Sequence, residues 1–213
     1  MLSVLAIDIE THDWKNPQDN SYSRVIQVAW ISYDEEEKEI GTECYYIKPD
    51  GFEISAKATA LHGITNEKAK EEGKSLKFVL DKLSTSLKTV KTNDGVVIAH
   101  NIKFDVNGIS QEMKRLKMTK ELRVLAEVKK GDTLDPTHLR KYTLKFHHKK
   151  LNLVPYRFYL HRKFGLKLAE MLKLVCPEEE HEQLLKKAHT ADADAKMCAI
   201  IYFQLCKSGI IEK

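Results

Sequence analysis

The feature that most restricts the fold is a continuous apolar run at residues 96–99, which stands between two stretches of helical periodicity. A short run without polar alternation is typical of a strand that is buried on both faces. Leucine and valine at helical spacing predict an amphipathic helix over about residues 75–88, and a second helix is predicted over about 102–116. A strand in this position predicts a sheet with helices packed on it.

Three further β-rich runs precede this strand, at residues 4–9, 25–31 and 43–47. The second and third are joined through an acidic turn, so the three together predict an antiparallel meander. Strands first, then a buried strand among helices, predict an α/β fold: a mixed β-sheet flanked by α-helices. Residues 119–131 give no clear periodicity, and a short strand within them is one option.

The final third of the chain is predicted to be mostly helical, with interruptions at Pro155 and Pro177 and a closing helix from about Thr190 to Cys206. We find no internal repeat and no clear linker. Residues 1–213 are therefore expected to form a single domain with a basic elaboration around residues 138–165. A chain of 213 residues with 42% hydrophobic residues can bury a sizeable core without disulfides.

Cysteine usage and hydropathy restrict the compartment. The four cysteines are scattered and form no C-x-x-C pair, which favours a reducing compartment over a disulfide framework or a zinc site. No apolar run approaches the roughly 20 residues that span a bilayer, and the short apolar N-terminus has no basic leader. We expect an intracellular protein, cytoplasmic or nuclear, that has no membrane partner.

Charge is unevenly distributed along a chain whose net charge of +4 is mild. Lysine and arginine crowd residues 129–167, whereas acidic residues concentrate at 34–39 and 178–182. This asymmetry permits contacts with phosphate groups, and so with nucleic acid. A lysine-rich face that is merely solvated would give the same pattern.

Asp8 and Glu10 lie two residues apart on the first predicted strand, so both side chains project from the same face. Two carboxylates on one face of a buried strand repel each other and lose hydration. A divalent cation would offset both costs. A strand end that faces water would explain the pair equally well.

Asp105 falls in the first turn of the second predicted helix, for which Asn101 is the candidate N-cap. It aligns with Ile109 and Leu116, which predicts that all three face inward. A first-turn acid could also serve only to complement the helix dipole.

Asp194 repeats this arrangement in the closing helix, for which Thr190 is the candidate N-cap. It shares an apolar stripe with Met197, Cys198, Ile201 and Leu205 and is predicted to face the core. Asp192 precedes Lys196 by four residues and is predicted to be its exposed ion-pair partner. His189 is expected on the loop before the helix. Four inward acids from three elements suit magnesium or manganese better than zinc.

These residues complete three motifs. Residues 8–11 match D-x-E-T, residues 100–105 match H-N-x-x-F-D, and residues 189–194 match H-x-A-x-x-D. In this order the chain resembles the DEDD superfamily of 3′→5′ exonucleases, in its histidine form (DEDDh), since the tyrosine form would need Tyr where Thr190 stands. It is similar to the epsilon-like proofreading subunit of bacterial DNA polymerase III and to related stand-alone exonucleases.

Three shorter segments agree with this resemblance. Residues 61–65, Leu-His-Gly-Ile-Thr, are similar to a segment of the proofreading subunits. Residues 132–134 are similar to a family D-T-L, and residues 164–166 to a family F-G-I. The chain departs from the family after the first motif, where a glycine is common and His12 begins a longer loop. That departure concerns the choice of substrate and not the chemistry.

The resemblance implies a ribonuclease H-like fold and a two-metal phosphodiesterase. Asp8, Glu10, Asp105 and Asp194 would hold two Mg²⁺ or Mn²⁺ ions. His189 would act as general base, because imidazole titrates near neutral pH. Activity should then rise with pH through that range, and the product would be a nucleoside 5′-monophosphate released from the 3′ end.

The resemblance also implies a set of substrate-binding residues: Thr11, His12, Leu61, His62, Asn101 and Phe104. Leu61, His62 and Phe104 would pack on the terminal bases, and ordinary core packing is the alternative for Leu61 and Phe104. DNA is favoured over RNA because residues 61–65 resemble proofreading subunits. The alternatives are an RNA-trimming 3′→5′ exoribonuclease and a catalytically silent nucleic-acid-binding module. A polymerase partner or self-association cannot be read from the sequence.

Overall fold

The computed structural model of the protein describes residues 1–13, 23–147, 166–176 and 181–212. Its centre is a five-stranded sheet made of β1 (Val4–Thr11), β2 (Val25–Tyr33), β3 (Glu39–Tyr46), β4 (Val96–Ala99) and β5 (Lys129–Asp132). The strand order is β3-β2-β1-β4-β5. The first three strands pair antiparallel, whereas β4 is parallel to both β1 and β5. The predicted meander and the predicted mixed sheet are both confirmed.

Helices cover both faces of the sheet. They are α1 (Ala56–His62), α2 (Asn66–Glu72), α3 (Leu76–Thr92), α4 (Ile102–Arg115), α5 (Thr119–Glu127), α6 (Pro136–His147), α7 (Leu168–Val175), α8 (Glu182–Lys186) and α9 (Ala191–Lys207). The stretch without clear periodicity is α5 followed by β5. The predicted interruptions at Pro155 and Pro177, and residues 148–165 of the predicted basic elaboration, lie outside the described residues. Among the described helices, none has the length and apolarity to cross a membrane.

The alternation of side chains along β1 divides the core into two layers. Leu5, Ile7 and Ile9 pack with α3, α4 and α5 on one face of the sheet. Val4 and Ala6 pack with α9 on the other. Asp8 and Glu10 continue the second face, because successive strand residues point to opposite sides. The two acids therefore project towards α9.

The carboxyl end of β1 extends beyond β4, the strand that pairs with it in parallel. Only residues 4–6 of β1 pair with β4, so the rest of that edge is open to the chain that leaves β4. The backbone N–H of Ile9 donates there to Asp105 Oδ1, at 3.1 Å, from the first turn of α4. A register shift between Glu10 and Thr11 ends the regular pairing with β2. This opening at the carboxyl ends of parallel strands is where α/β proteins commonly bind ligands.

Asn101 joins β4 to α4 in a way that the sequence did not predict. It occupies the N-cap position, as predicted, but its side chain makes no capping hydrogen bond. Its backbone is left-handed, with φ of 79°, a conformation that asparagine tolerates better than most residues. Its N–H donates to Asp132 Oδ1 at 2.8 Å, which fastens the end of β4 to the end of β5.

The left-handed conformation of Asn101 can be tested with two substitutions. We expect Asn101→Gly to keep the melting temperature close to that of the wild type, because glycine adopts this conformation freely. Asn101→Val should lower the free energy of unfolding by about 1–2 kcal/mol, because a β-branched residue tolerates the left-handed conformation much less well than asparagine does. Thermal and urea unfolding measure both. Equal stability of the two variants would contradict the backbone argument.

Candidate active site

Three carboxylates from two elements converge beside the open end of β1. Asp8 and Glu10 come from β1, and Asp194 comes from the first turns of α9. One oxygen from each lies within 4.8 Å of the others, and all three residues are partly buried. We call these three residues the acidic cluster. Residues at the two ends of the sequence meet in it because α9 packs directly on the central strand.

The register of α9 determines which of its acids joins the cluster. The predicted inward stripe is confirmed, since its members are buried: Met197, Cys198, Ile201 and Leu205. The choice of Asp194 over Asp192 is also correct. The predicted ion pair of Lys196 is wrong, because Lys196 Nζ contacts the Glu39 carboxylate on β3 and not Asp192.

Asp105 lies beside the acidic cluster and not within it. Its side chain is only 2% exposed, and it accepts the N–H of Ile9, the residue between the two β1 acids. The predicted inward face of α4 is correct for Asp105 and Ile109. It is wrong for Leu116, which is 37% exposed because the helix ends at Arg115 and Leu116 is its C-cap.

Burial raises the pKa of each of these carboxyl groups. The pKa of Glu10 rises to about 8, through burial and then through the neighbouring charge of Asp194. The pKa of Asp194 rises to about 6, and the hydrogen bond from the His189 N–H limits this shift. Burial, followed by the charges of Asp105, Asp194 and Glu10, raises the pKa of Asp8. The pKa of Asp105 is also raised by burial.

The acidic cluster fits a divalent cation. Three carboxylate oxygens at this separation offer a hard-oxygen ligand set, which is what Mg²⁺ and Mn²⁺ prefer. The raised pKa values indicate that cationic side chains among the described residues do not neutralise these charges. A bound cation would remove the repulsion and replace the lost hydration.

His189 lies at the rim of the acidic cluster, on the loop before α9, as predicted. Its side chain is exposed and its backbone is left-handed, with φ of 69°. Its N–H points to both carboxylate oxygens of Asp194, at 3.2 and 3.3 Å. Thr190 holds the N-cap position, as predicted, but its hydroxyl donates to the Lys187 carbonyl at 2.8 Å and makes no capping hydrogen bond.

Two of the predicted base-contacting residues are exposed apolar side chains. Leu61 is 38% exposed at the end of α1, and Phe104 is 46% exposed in the first turn of α4, one residue before Asp105. Core packing, the alternative for both, is therefore excluded. Apolar and aromatic surfaces of this kind suit stacking on unpaired bases.

The remaining predicted binding residues are held by the backbone. His62 is 7% exposed, and its Nδ1 accepts the N–H of Ile64 at 3.1 Å, just past the left-handed Gly63. Burial lowers the pKa of His62, and nearby His189 lowers it further. His12 Nδ1 accepts the N–H of Arg24 at 2.9 Å. Thr11 donates its hydroxyl to the Asp13 carbonyl at 3.1 Å.

A model of the exonuclease family RNase_T matches residues 5–202. The chain belongs to this exonuclease family. The recognition of the DEDD superfamily of 3′→5′ exonucleases from the three motifs is therefore confirmed. No curated protein sequence matches the chain significantly.

Solved structures agree on the fold of this exonuclease. E. coli exonuclease I with a dA16 oligonucleotide is 20% identical with a TM-score of 0.68, and its complex with dT13 is 22% identical with a TM-score of 0.70. A zinc-bound form of its single-stranded DNA complex is 20% identical with a TM-score of 0.69. Each match covers 98% of this chain but 41% of the other chain. The predicted ribonuclease H-like fold is confirmed.

Two residues that hold the motifs in place, His100 and Gln27, have no role assigned from the sequence alone. His100 Nε2 contacts the Leu166 carbonyl, and its Nδ1 contacts Thr133 Oγ1, both at 2.9 Å. The carbonyl can only accept, so the ring carries its proton on Nε2 and the Thr133 hydroxyl donates to Nδ1. Gln27 is the other omission. The sign of it in the sequence is a single polar residue within the apolar run at residues 25–31.

The raised pKa of Glu10 predicts how the stability of the metal-free exonuclease depends on pH. The folded state prefers the protonated acid, so the contribution to stability is complete below the unfolded pKa and is lost as pH rises through about 8. In EDTA, we expect the wild type to lose about 4–8 °C in melting temperature between pH 6 and 8.5, for a cost of about 2 kcal/mol. Glu10→Gln should lose much less.

Exposed Glu53→Gln provides the matched control for Glu10→Gln and should keep the wild-type slope. Calorimetry at the two pH values measures all three proteins. Equal slopes for Glu10→Gln and the wild type would show that Glu10 does not carry this cost.

Proposed function

We propose that the chain hydrolyses phosphodiester bonds one nucleotide at a time from the 3′ end of DNA and releases nucleoside 5′-monophosphates. The observation that carries the proposal is the acidic cluster, three convergent carboxylates at the open end of the sheet. Membership of the exonuclease family supports the reaction class. Single-stranded DNA in complexes of the structurally similar exonuclease I supports DNA as the substrate.

In the proposed mechanism, Asp8, Glu10 and Asp194 would hold one divalent ion, Mg²⁺ or Mn²⁺, and Asp8 would also help to hold a second. Two bound ions would supply an activated water and would stabilise the leaving 3′ oxygen. Asp105 would act on the second ion through a water molecule. Its bond to the Ile9 N–H orients β1, the strand that carries Asp8 and Glu10. His189 is exposed beside Asp194, in a position that suits removal of a proton from the attacking water.

Leu61 and Phe104 are the proposed contacts for the terminal bases. They extend the site on the side of α1 and α4 with exposed apolar surface, which can stack on any base. Thr11, His12, His62 and Asn101 complete the proposed contacts with the last nucleotides. We also propose that the protein works inside the cell, cytoplasmic or nuclear.

The first test follows degradation of 5′-labelled single-stranded DNA and RNA of one sequence, with Mg²⁺, Mn²⁺ or EDTA. We expect metal-dependent laddering from the 3′ end, with DNA degraded faster than RNA. Asp194→Asn should reduce the rate on the order of 100-fold or more, because it removes a metal ligand. Asp192→Asn, two residues earlier in the same helix and outside the acidic cluster, should stay within about 3-fold of the wild type.

Three outcomes of this test would change the proposal. Faster degradation of RNA would replace the DNA substrate with an RNA substrate. Intact wild type that leaves both strands untouched would overturn the catalytic proposal in favour of a binding module. Equal losses in Asp192→Asn and Asp194→Asn would remove the special role of the acidic cluster.

A second test addresses the stacking surface. Phe104→Ala should raise the KM for single-stranded DNA by about 5- to 100-fold, since base stacking contributes about 1–3 kcal/mol per base. Phe78→Ala is the control, because Phe78 is similarly exposed, at 42%, but packs on Tyr45 of β3. Steady-state kinetics measure both variants, and an unchanged KM in Phe104→Ala would refute the contact.

A further inference from the structure

The N-terminus of α9 has no cap of its own, although two of the proposed catalytic groups depend on it. The Thr190 hydroxyl donates backwards to Lys187, and the Asp194 carboxylate accepts the His189 N–H. The first helical residue, Ala191, is completely buried, so its N–H cannot be satisfied by solvent. A buried N–H at a helix start requires a partner from elsewhere in the chain.

Gln27 of β2 provides that partner. Its Oε1 accepts the Ala191 N–H at 3.2 Å, and its Nε2 donates to Cys44 Sγ on β3 at 3.3 Å. The side chain is 2% exposed and lies directly across the strand pair from Glu10. One amide therefore connects two strands of the sheet to the start of the helix, beside a member of the acidic cluster.

This bond matters because the N-terminal half of α9 contacts the sheet through small side chains, whereas Tyr202 and Phe203 pack on the sheet further along the helix. Ala195, Cys198 and Ala199 pack on the sheet face formed by residues such as Ala6. Small apolar side chains allow close approach but interlock weakly, so they do not define the position of a helix along its own axis. A hydrogen bond with a buried partner is directional and is costly to break.

We propose that Gln27 is a positioning residue that sets Asp194 and His189 against the two acids of β1. The inference rests on the proposed function, because it assigns Gln27 to the geometry of the same metal site. Ala191 lies between His189 and Asp194 in the chain, so a fixed Ala191 N–H restrains both. The amide suits this task since it offers an acceptor without adding a fourth charge next to Glu10.

The experiment compares Mn²⁺ binding by the full chain with and without this bond. Gln27→Met keeps the length of the side chain but removes the acceptor. We expect a 10- to 100-fold loss of Mn²⁺ affinity, the usual effect of removing a group that orients a metal ligand. Titration calorimetry and the electron paramagnetic resonance of free Mn²⁺ both measure it.

Ile31→Ala is the matched control for Gln27→Met. Ile31 is a buried residue of the same strand that packs in the same layer as α9, further from the acidic cluster. The Ile31→Ala variant should have a lower melting temperature but keep Mn²⁺ affinity within about 3-fold of the wild type. Amide exchange at Ala191 should accelerate in Gln27→Met beyond any change in Ile31→Ala.

Gln27→Glu is the second variant if Gln27→Met does not fold, because its carboxyl group keeps an oxygen for the Ala191 N–H. We expect it to retain Mn²⁺ affinity within about 3-fold of the wild type or better, and a 10-fold or greater loss would contradict the inference. Equal Mn²⁺ affinities in Gln27→Met and Ile31→Ala would overturn the positioning role of Gln27 but leave the proposed function standing. A wild type that binds no Mn²⁺ would overturn the proposed function as well.

Discussion

The mutual repulsion of Asp8, Glu10 and Asp194 is the constraint on which the rest of the structure depends. Carboxylates this close repel one another in the metal-free protein, and burial adds a further cost that raises the pKa of each one. The fold tolerates this cost because β1 and α9, which carry the three carboxylates, are held by apolar contacts elsewhere along their lengths. The first half of β1 is core on both faces, and α9 is buried along most of its length. The apolar layers therefore hold together three carboxylates that repel one another.

Helix α4 supports the same strand ends from the opposite layer, and it does so with two more acids. Asp105 accepts the N–H of Ile9, and seven residues later Glu112 accepts the N–H of Val25 at 3.0 Å. Glu112 is 1% exposed and is neutralised by ion pairs with Arg24 and Arg115 at 2.9 and 2.8 Å. The two acids thus differ in kind: Glu112 is a structural ion-pair partner, whereas Asp105 has a raised pKa and lies beside the acidic cluster.

Periodicity was enough to predict the sheet, the three longest of the described helices and the inward direction of Asp105 and Asp194, because apolar spacing reports directly which face is buried. It also separated Asp194 from Asp192 without any reference to relatives. The errors concern groups whose partners are distant in sequence. Lys196 has an acid four residues away but pairs with Glu39, 157 positions distant. Local spacing cannot show that a strand will bring a competing carboxylate closer.

The two predicted N-cap positions are correct, but their side-chain capping bonds are absent for the same physical reason. Asn101 and Thr190 are residue types that favour the N-cap, but the chain at each position satisfies the helix start through other groups. At Asn101 the backbone takes a left-handed turn, and at α9 the acceptor comes from β2, 164 residues away. A sequence can indicate where a helix begins. Which group satisfies its first N–H depends on tertiary packing.

The distance along the chain between the members of the acidic cluster has a consequence during synthesis. A ribosome releases the chain from its N-terminus, so Asp8 and Glu10 emerge long before His189 and Asp194. Until α9 has emerged and packed on β1, the cluster holds only two of its three carboxylates, and the proposed general base is missing. An interrupted or truncated product that ends before α9 therefore lacks the complete site. In this fold the complete site can form only after α9 has been synthesised.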